Sequence, residues 1–145
     1  FSAFGCKVIG VDIFINEKPY YSEMVKLDRL DDVLSKSDVI ILTLPLTKET
    51  VNLFDSKRFD KIKTGAILVN IARGRIVDEN ALIDAIGSKL LGAVLDVFEE
   101  EPLSKESELW ELENVILTPH NSFIGDGNYE RLSKVIIENL KKIND

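Results

Sequence analysis

The sequence predicts a doubly wound α/β fold with a mostly parallel sheet. Short runs rich in Val and Ile alternate with segments whose apolar residues recur at helical spacing. The runs are nearly continuous rather than alternating, as expected of strands that helices cover on both faces. These predicted strands occupy residues 8–11, 39–44, 66–69, 93–95 and 115–117.

Two segments between the strands and one after the last strand predict helices. Residues 27–34 and 78–86 are short, and the second begins with Asp78 and Glu79, where the helix dipole favours negative charge. Residues 128–143 form a longer amphipathic pattern, whose apolar face we interpret as core packing. That face carries Leu132, Val135, Ile136, Leu140 and Ile143.

The composition limits the classes of partner. The net charge is −7 and no basic stripe interleaves with aromatic residues, so a nucleic-acid surface is disfavoured, as is attraction to acidic membranes. No apolar run approaches the roughly 20 residues of a membrane span, and no signal-peptide pattern is visible. Cys6 is the only cysteine, so an internal disulfide is excluded, and we interpret it as a small buried residue. We expect a soluble, cytoplasmic protein that binds a small molecule.

The first strand ends in an acid, Asp12, which in dinucleotide-binding (Rossmann-type) folds accepts hydrogen bonds from ribose hydroxyls. The glycine-rich turn that normally precedes this strand is absent. Residues 1–5 resemble the end of a helix that Gly5 caps, and residue 1 is not Met. We therefore predict that residues 1–145 are a partial dinucleotide-binding domain lacking the first strand and the glycine-rich loop, with the substrate domain absent from the chain. Such a loss would leave a central gap in the sheet with unpaired edges.

Three charged or titratable residues follow three different predicted strands. Arg73, Glu101 and His120 each lie in a loop-like stretch just past an apolar run. The carboxyl ends of parallel strands meet at one rim, where such sheets bind ligands, so these residues could build one site. His120 is also the only histidine, and hence the only candidate for histidine acid-base work near neutral pH. Taken singly, Arg73 and His120 could be surface groups and Glu101 part of a solvated acidic run.

Four sequence blocks, in this order along the chain, favour the functional over the surface interpretation of these residues. TLPLT at 43–47, NIARGRIVD at 70–78, GAVLDVFE with EPL at 92–103, and NVILTPH at 114–120 resemble the nucleotide-binding domain of the D-isomer-specific 2-hydroxyacid dehydrogenases. The resemblance covers nearly the whole chain. It implies an NAD-dependent oxidoreductase, a homodimer in the parent protein, that interconverts 2-hydroxy and 2-keto acids.

The resemblance implies a role for each candidate residue. Arg73 would hold the substrate carboxylate and polarise the keto oxygen, His120 would be the general acid-base, and Glu101 would pair with His120 and stabilise the imidazolium. Asp12 would bind the ribose, Asp96 would lie near the nicotinamide carboxamide, and Ala72 would contact that carboxamide through its backbone. The predicted cofactor site also includes Arg73, His120, Leu44, Pro45 and Thr50, the last three along the adenosine and phosphate side.

Other functions stay open. An NAD-responsive scaffold like the corepressors that share this fold can keep the same three residues, so the sequence separates it poorly from an enzyme. Glu101 argues against formate as a substrate, since the formate-oxidising relatives pair their histidine with glutamine. Residues 121–127 are more polar than usual for the family and could reshape the pocket. Trp110 is interpreted as a structural core residue, and the chain alone is predicted to be inactive.

Overall fold

The computed structural model of the chain describes residues 1–15 and 18–143. Within them, six strands form two parallel sheets, the division that the predicted central gap would produce. In the first sheet β1 pairs with β2, and in the second the strand order is β3-β4-β5-β6. The strands are β1 Ile9–Val11, β2 Glu23–Val25, β3 Val39–Leu42, β4 Ile67–Asn70, β5 Gly92–Leu95 and β6 Val115–Leu117.

Helices separate most of the strands. A 3-10 turn, Leu27–Arg29, runs into a short helix, α1, and a second short helix, α2, precedes β4. The side chain of Asp78 caps the third helix, α3, by accepting a hydrogen bond from the backbone N–H of Ala81 at 2.9 Å. The α-helices are α1 Leu30–Leu34, α2 Ser56–Phe59, α3 Glu79–Ser88 and α4 Asn128–Ile143.

The predicted strands and helices are present, with small shifts at their ends. The strand predicted over 39–44 ends at Leu42, and the helix predicted over 78–86 runs from Glu79 to Ser88. The prediction missed β2, whose three residues begin with a charged side chain, Glu23. A run that short has no readable period, and its extended conformation depends on pairing with β1.

One face of the four-stranded sheet forms the core. Ile40 and Leu42 of β3 and Leu68 of β4 are buried in one cluster with side chains from the first three α-helices. The helical members are Leu30, Leu34, Phe59, Ala81, Leu82, Ala85 and Ile86. Burying this face orders the strand ends that carry the candidate residues.

The opposite face of the same sheet is only partly covered by the described residues, since Val69 and Val94 in its two central strands are half-buried. Ile41, Val69, Val94 and Ile116 align in register across the four strands, and Ile116 is 61% exposed. Successive side chains of a strand point to opposite faces, so these four share one face. The predicted parallel α/β architecture is therefore present, but the cover of this face is incomplete in the described part of the chain.

The last helix, α4, has the predicted bounds but not the predicted packing. None of its residues is buried, and the five apolar side chains of its stripe are 48–78% exposed. The interpretation of this stripe as core packing is wrong. No described helix has the length and apolar character needed to cross a bilayer.

Two single residues also differ from expectation. Cys6 is exposed rather than buried. Trp110 is 54% exposed and donates a hydrogen bond from Nε1 to the carbonyl of Ser104 at 2.8 Å, whereas its neighbour Leu109 enters the core. The indole ring has an apolar body and a polar N–H, so a partly exposed position suits it.

Candidate active site

The loops that follow β4, β5 and β6 lie side by side because their strands are neighbours in a parallel sheet. The backbone continues to hydrogen-bond just past the strand ends. The N–H of Asp96 donates to the carbonyl of Asn70 at 3.0 Å, and the N–H of Thr118 donates to the carbonyl of Leu95 at 2.9 Å. Three segments distant in sequence therefore form one rim.

A buried amide shapes the loop that carries Arg73. Asn70 is 1% exposed. Its Nδ2 donates to the carbonyl of Arg73 at 3.1 Å, and its Oδ1 accepts from the N–H of Ala72 at 3.1 Å. The sequence interpretation did not single out Asn70, although a polar residue ending a buried apolar strand is a usable signal.

A glycine brings this loop against the next one. A Cβ at Gly74 would overlap the carbonyl oxygen of Phe98, so no larger residue fits without a backbone shift. Phe98 belongs to the loop after β5 that also carries Glu101. The close approach at Gly74 thus helps to place the arginine loop beside the glutamate loop.

His120 and Glu101 form a direct pair. The distance from His120 Nδ1 to Glu101 Oε2 is 2.7 Å, and Glu101 Oε1 accepts from the N–H of Phe98 at 3.1 Å. Burial raises the pKa of Glu101, but the hydrogen bonds from His120 and Phe98 and the charges of His120 and Arg73 outweigh it and lower the pKa overall. Glu101 is therefore ionised near neutral pH.

Arg73 is exposed at the same rim. Its Nη1 donates to the carbonyl of Ala72 at 2.6 Å, which restrains the guanidinium and leaves Nε and Nη2 for a ligand. No carboxylate of the described residues lies within ion-pair distance of it, although its charge lowers the pKa of Glu101. The structure thus gathers Arg73, Glu101 and His120 in one region.

Asp96 is the buried charge of the site. It is 1% exposed and accepts three hydrogen bonds, from the Thr118 hydroxyl at 2.5 Å and from the N–H groups of Asn121 and Ser122 at 2.9 Å each. Burial raises the pKa of Asp96, but these hydrogen bonds outweigh it and hold the pKa far below the usual range of an aspartate.

The other predicted cofactor residues follow β1, β3 and β4. After β3, the Thr50 hydroxyl donates to the carbonyl of Pro45 at 2.8 Å and Leu44 is half-buried against the core. Ala72 is buried beside Asn70. Asp12 follows β1 in the two-stranded sheet, and its Oδ1 accepts from the N–H of Phe14 at 3.0 Å.

The fold and the rim define a class of domain. Parallel strands with flanking helices, an acid at the end of β1 and polar loops at the carboxyl ends of the other strands are typical of Rossmann-like nucleotide-binding domains. An arginine, an imidazole and a carboxylate on that rim are groups that hold an anion and exchange a proton.

Residues 1–122 match the family model of the D-isomer specific 2-hydroxyacid dehydrogenase, NAD binding domain, and the chain belongs to this family. It is 46% identical over 112 residues to a glyoxylate reductase of Pyrococcus horikoshii, covering 77% of this chain and 33% of that protein. It is also 46% identical over 114 residues to a D-3-phosphoglycerate dehydrogenase of Archaeoglobus fulgidus, covering 78% of this chain and 22% of that protein.

Solved structures match over nearly the whole chain. A D-isomer specific 2-hydroxyacid dehydrogenase family protein of Aeromonas salmonicida superposes with a TM-score of 0.90 at 39% identity, covering 99% of this chain and 46% of that chain. A dehydrogenase of Xanthobacter autotrophicus, in complex with NADPH and MES, superposes with a TM-score of 0.89 at 37% identity, covering 97% and 57%. The chain thus spans only part of the length of its relatives.

Proposed function

We propose that the protein containing this chain interconverts a small 2-hydroxy acid and the corresponding 2-keto acid by hydride transfer with a nicotinamide nucleotide. The observation that carries the proposal is the His120–Glu101 pair at 2.7 Å on the same rim as Arg73. The Pyrococcus and Archaeoglobus relatives are named as a reductase and a dehydrogenase, so they do not favour the scaffold alternative.

Arg73 would bind the substrate carboxylate. Its planar guanidinium can donate two parallel hydrogen bonds to a carboxylate, and two of its nitrogens stay available after Nη1 bonds to Ala72. An anion held there would place the adjacent keto group near His120, since the charge of Arg73 lowers the pKa of the same Glu101 that His120 contacts at 2.7 Å.

His120 would supply or accept the proton at the substrate oxygen. Nδ1 faces Glu101, so Nε2 is the ring nitrogen left for a substrate. The ionised Glu101 bonds Nδ1 and so fixes the orientation of the ring. In the reducing direction the proton leaves Nε2 for the keto oxygen, and in the oxidising direction Nε2 takes it back. A bound nicotinamide nucleotide supplies or accepts the hydride.

The residues after β1 fit the ribose of such a nucleotide. One oxygen of Asp12 accepts from Phe14, and the described residues offer no donor to the other, which suits a ribose hydroxyl. A carboxylate at this position would repel a ribose phosphate, so we propose NAD over NADP. Solved relatives include complexes with NADP and NADPH. A comparison of kcat/KM with NADH and with NADPH therefore tests this preference.

The substrate class follows from the same groups. One arginine and one acid-base suit a small 2-keto acid, and Glu101 instead of glutamine argues against formate. The net charge of −7 supports small-molecule rather than nucleic-acid partners. A homodimer and a cytoplasmic location remain predictions.

Replacing His120 by Ala tests the proposal. Loss of the general acid-base should lower kcat for reduction of a 2-keto acid such as glyoxylate by roughly 10²- to 10⁴-fold. NADH oxidation would be followed in the protein that contains this chain, over a panel of 2-keto acids.

Glu100→Gln is the matched control. Glu100 is an exposed acid next to Glu101 whose side chain makes no hydrogen bond or ion pair with the described residues, so this variant should keep the parent rate. Retained turnover in the His120 variant would exclude the proposed role of the imidazole. Absence of turnover in the parent with every keto acid and both nucleotides would exclude the proposed function.

A further inference from the structure

The backbone of His120 has an unusual conformation. Its φ is 50°, in the left-handed region that residues with a Cβ seldom adopt. Such a conformation is strained and persists only where surrounding contacts impose it. Some feature of the neighbouring structure must therefore hold the loop of residues 118–122.

The contacts that hold it converge on one buried carboxylate. Asp96 Oδ1 accepts from the Thr118 hydroxyl and from the N–H of Asn121, and Oδ2 accepts from the N–H of Ser122. The three donors flank His120 on both sides in sequence. Hydrogen bonds to an ionised acceptor are stronger than neutral ones, so this set can offset the backbone strain.

We propose that Asp96 and Thr118 are positioning residues that hold His120 in its left-handed conformation and so aim the imidazole at the substrate. The inference rests on the proposed function, because the group being positioned is the proposed proton donor. It adds Thr118 to the site and gives Asp96 a role that acts through His120, besides the nicotinamide contact that the family resemblance implies.

The arrangement anchors His120 from one loop at two points. Asp96 and Glu101 both belong to the segment after β5, and the first holds the residues on either side of His120 whereas the second holds Nδ1 of its ring. A ring held only by Glu101 could rotate with the loop. A ring held at both ends has a defined direction for Nε2, as proton transfer requires.

A pair of Thr118 variants tests the inference most directly. Thr118→Val removes the hydroxyl donor at nearly constant shape, and Thr118→Ser keeps the donor. The valine variant should exchange the amide protons of Asn121 and Ser122 roughly tenfold faster, because the loop opens more often. The serine variant should exchange them near the parent rate. Amide hydrogen exchange by NMR reads this out in the protein containing this chain, without a cofactor.

The same variants are then compared kinetically. A displaced proton donor slows the chemical step, so Thr118→Val should lower kcat by about 10- to 100-fold while the KM for NADH stays near the parent value. Thr118→Ser should restore most of kcat. A merely structural role would lower the melting temperature without this separation of kcat from KM.

Asp96→Asn separates the two possible roles of the carboxylate. If it positions His120, the variant should show the faster exchange at Asn121 and Ser122 and the loss of kcat. A weaker Kd for NADH with unchanged exchange and unchanged kcat would overturn the inference and leave a cofactor contact. Should Asp96→Asn fail to fold, the comparison of Thr118→Val with Thr118→Ser still tests the inference. If the parent has no turnover, the proposed function fails, and the exchange rates alone decide whether Asp96 holds the loop.

Discussion

At the scale of single residues, two buried polar side chains organise the site. Asn70 ends β4 and Asp96 follows β5, and each is 1% exposed with its hydrogen-bonding groups directed at a loop. A buried polar group must find partners, so such a residue at a strand end determines the path of the backbone nearby. Asn70 thereby shapes the loop of Arg73, and Asp96 shapes the loop of His120.

The lowered pKa of Asp96 predicts a pH-dependent stability. Its folded pKa is below the value of about 3.9 expected in the unfolded chain, so its contribution is complete above that value and is lost as the pH falls toward the folded pKa. Asp96→Asn should therefore lower the free energy of unfolding by about 1–3 kcal/mol at pH 7. The difference between parent and variant should shrink below about pH 4.

Urea unfolding at several pH values measures this difference. Asp55→Asn is a suitable control, since Asp55 also accepts a backbone N–H, that of Arg58 at 2.9 Å, but is only half-buried. Its effect on the free energy of unfolding should be the smaller of the two. A difference for Asp96→Asn that stays constant down to pH 3 would contradict the assignment of an ionised, hydrogen-bonded Asp96.

Arg73→Lys tests the guanidinium at the rim. Lysine keeps the charge but loses the planar pair of donors, so kcat/KM for a 2-keto acid should fall by about tenfold or more. Arg75→Lys is the matched control, because Arg75 is exposed and its described contact, with the N–H of Asn52, is made by its carbonyl. Equal effects in the two variants would argue against a substrate contact at Arg73.

At the scale of elements, the hydrophobic pattern predicted most of the buried strands and helices. Buried strands such as β4 and β5 have continuous apolar runs, and α3 has an acidic first turn and the Asp78 cap. The pattern failed for β2, where three residues carry no period. It also failed for the packing of α4, since an apolar stripe predicts a helix but does not specify what covers it.

The contact between the loops after β4 and β5 predicts a specific effect of glycine substitution. Gly74→Ala should lower the free energy of unfolding by about 1–3 kcal/mol, because its Cβ would overlap the backbone of Phe98. It should also weaken the His120–Glu101 pair by displacing the glutamate loop, and so reduce turnover. Chemical denaturation and the NADH assay measure the two effects.

Gly87→Ala provides the comparison. Gly87 lies in α3, and a Cβ added there would meet no atom within 4 Å, so alanine should be neutral or stabilising by about 0.5–1 kcal/mol. Similar losses of stability in the two variants would show that the close approach at Gly74 does not constrain the loops.

At the scale of the whole molecule, the site is open. Arg73 and Glu101 are exposed, one face of the four-stranded sheet is only partly covered, and the stripe of α4 is uncovered in the described part of the chain. The chain spans 33% of the Pyrococcus glyoxylate reductase and 46% of the Aeromonas structure. Enzymes that transfer hydride exclude water by closing the site. No part of the described structure covers the rim in this way.

We therefore expect the 145-residue chain by itself to show no NADH oxidation above background with any 2-keto acid. The protein that contains this chain, assayed at the same molar concentration, should turn over at least one of them. Turnover by the chain alone would show that the described rim is sufficient for catalysis.

Periodicity and strand-end motifs are local properties of the chain, and they were enough to predict the α/β class, the family and the rim residues Arg73, Glu101 and His120. Only the tertiary structure showed the exposure of α4 and the convergence of three hydrogen bonds on Asp96. Those features depend on which surfaces meet across tens of residues. The hydrogen bonds from Thr118, Asn121 and Ser122 to Asp96 form only when β5 and β6 pair, so no local pattern contains them.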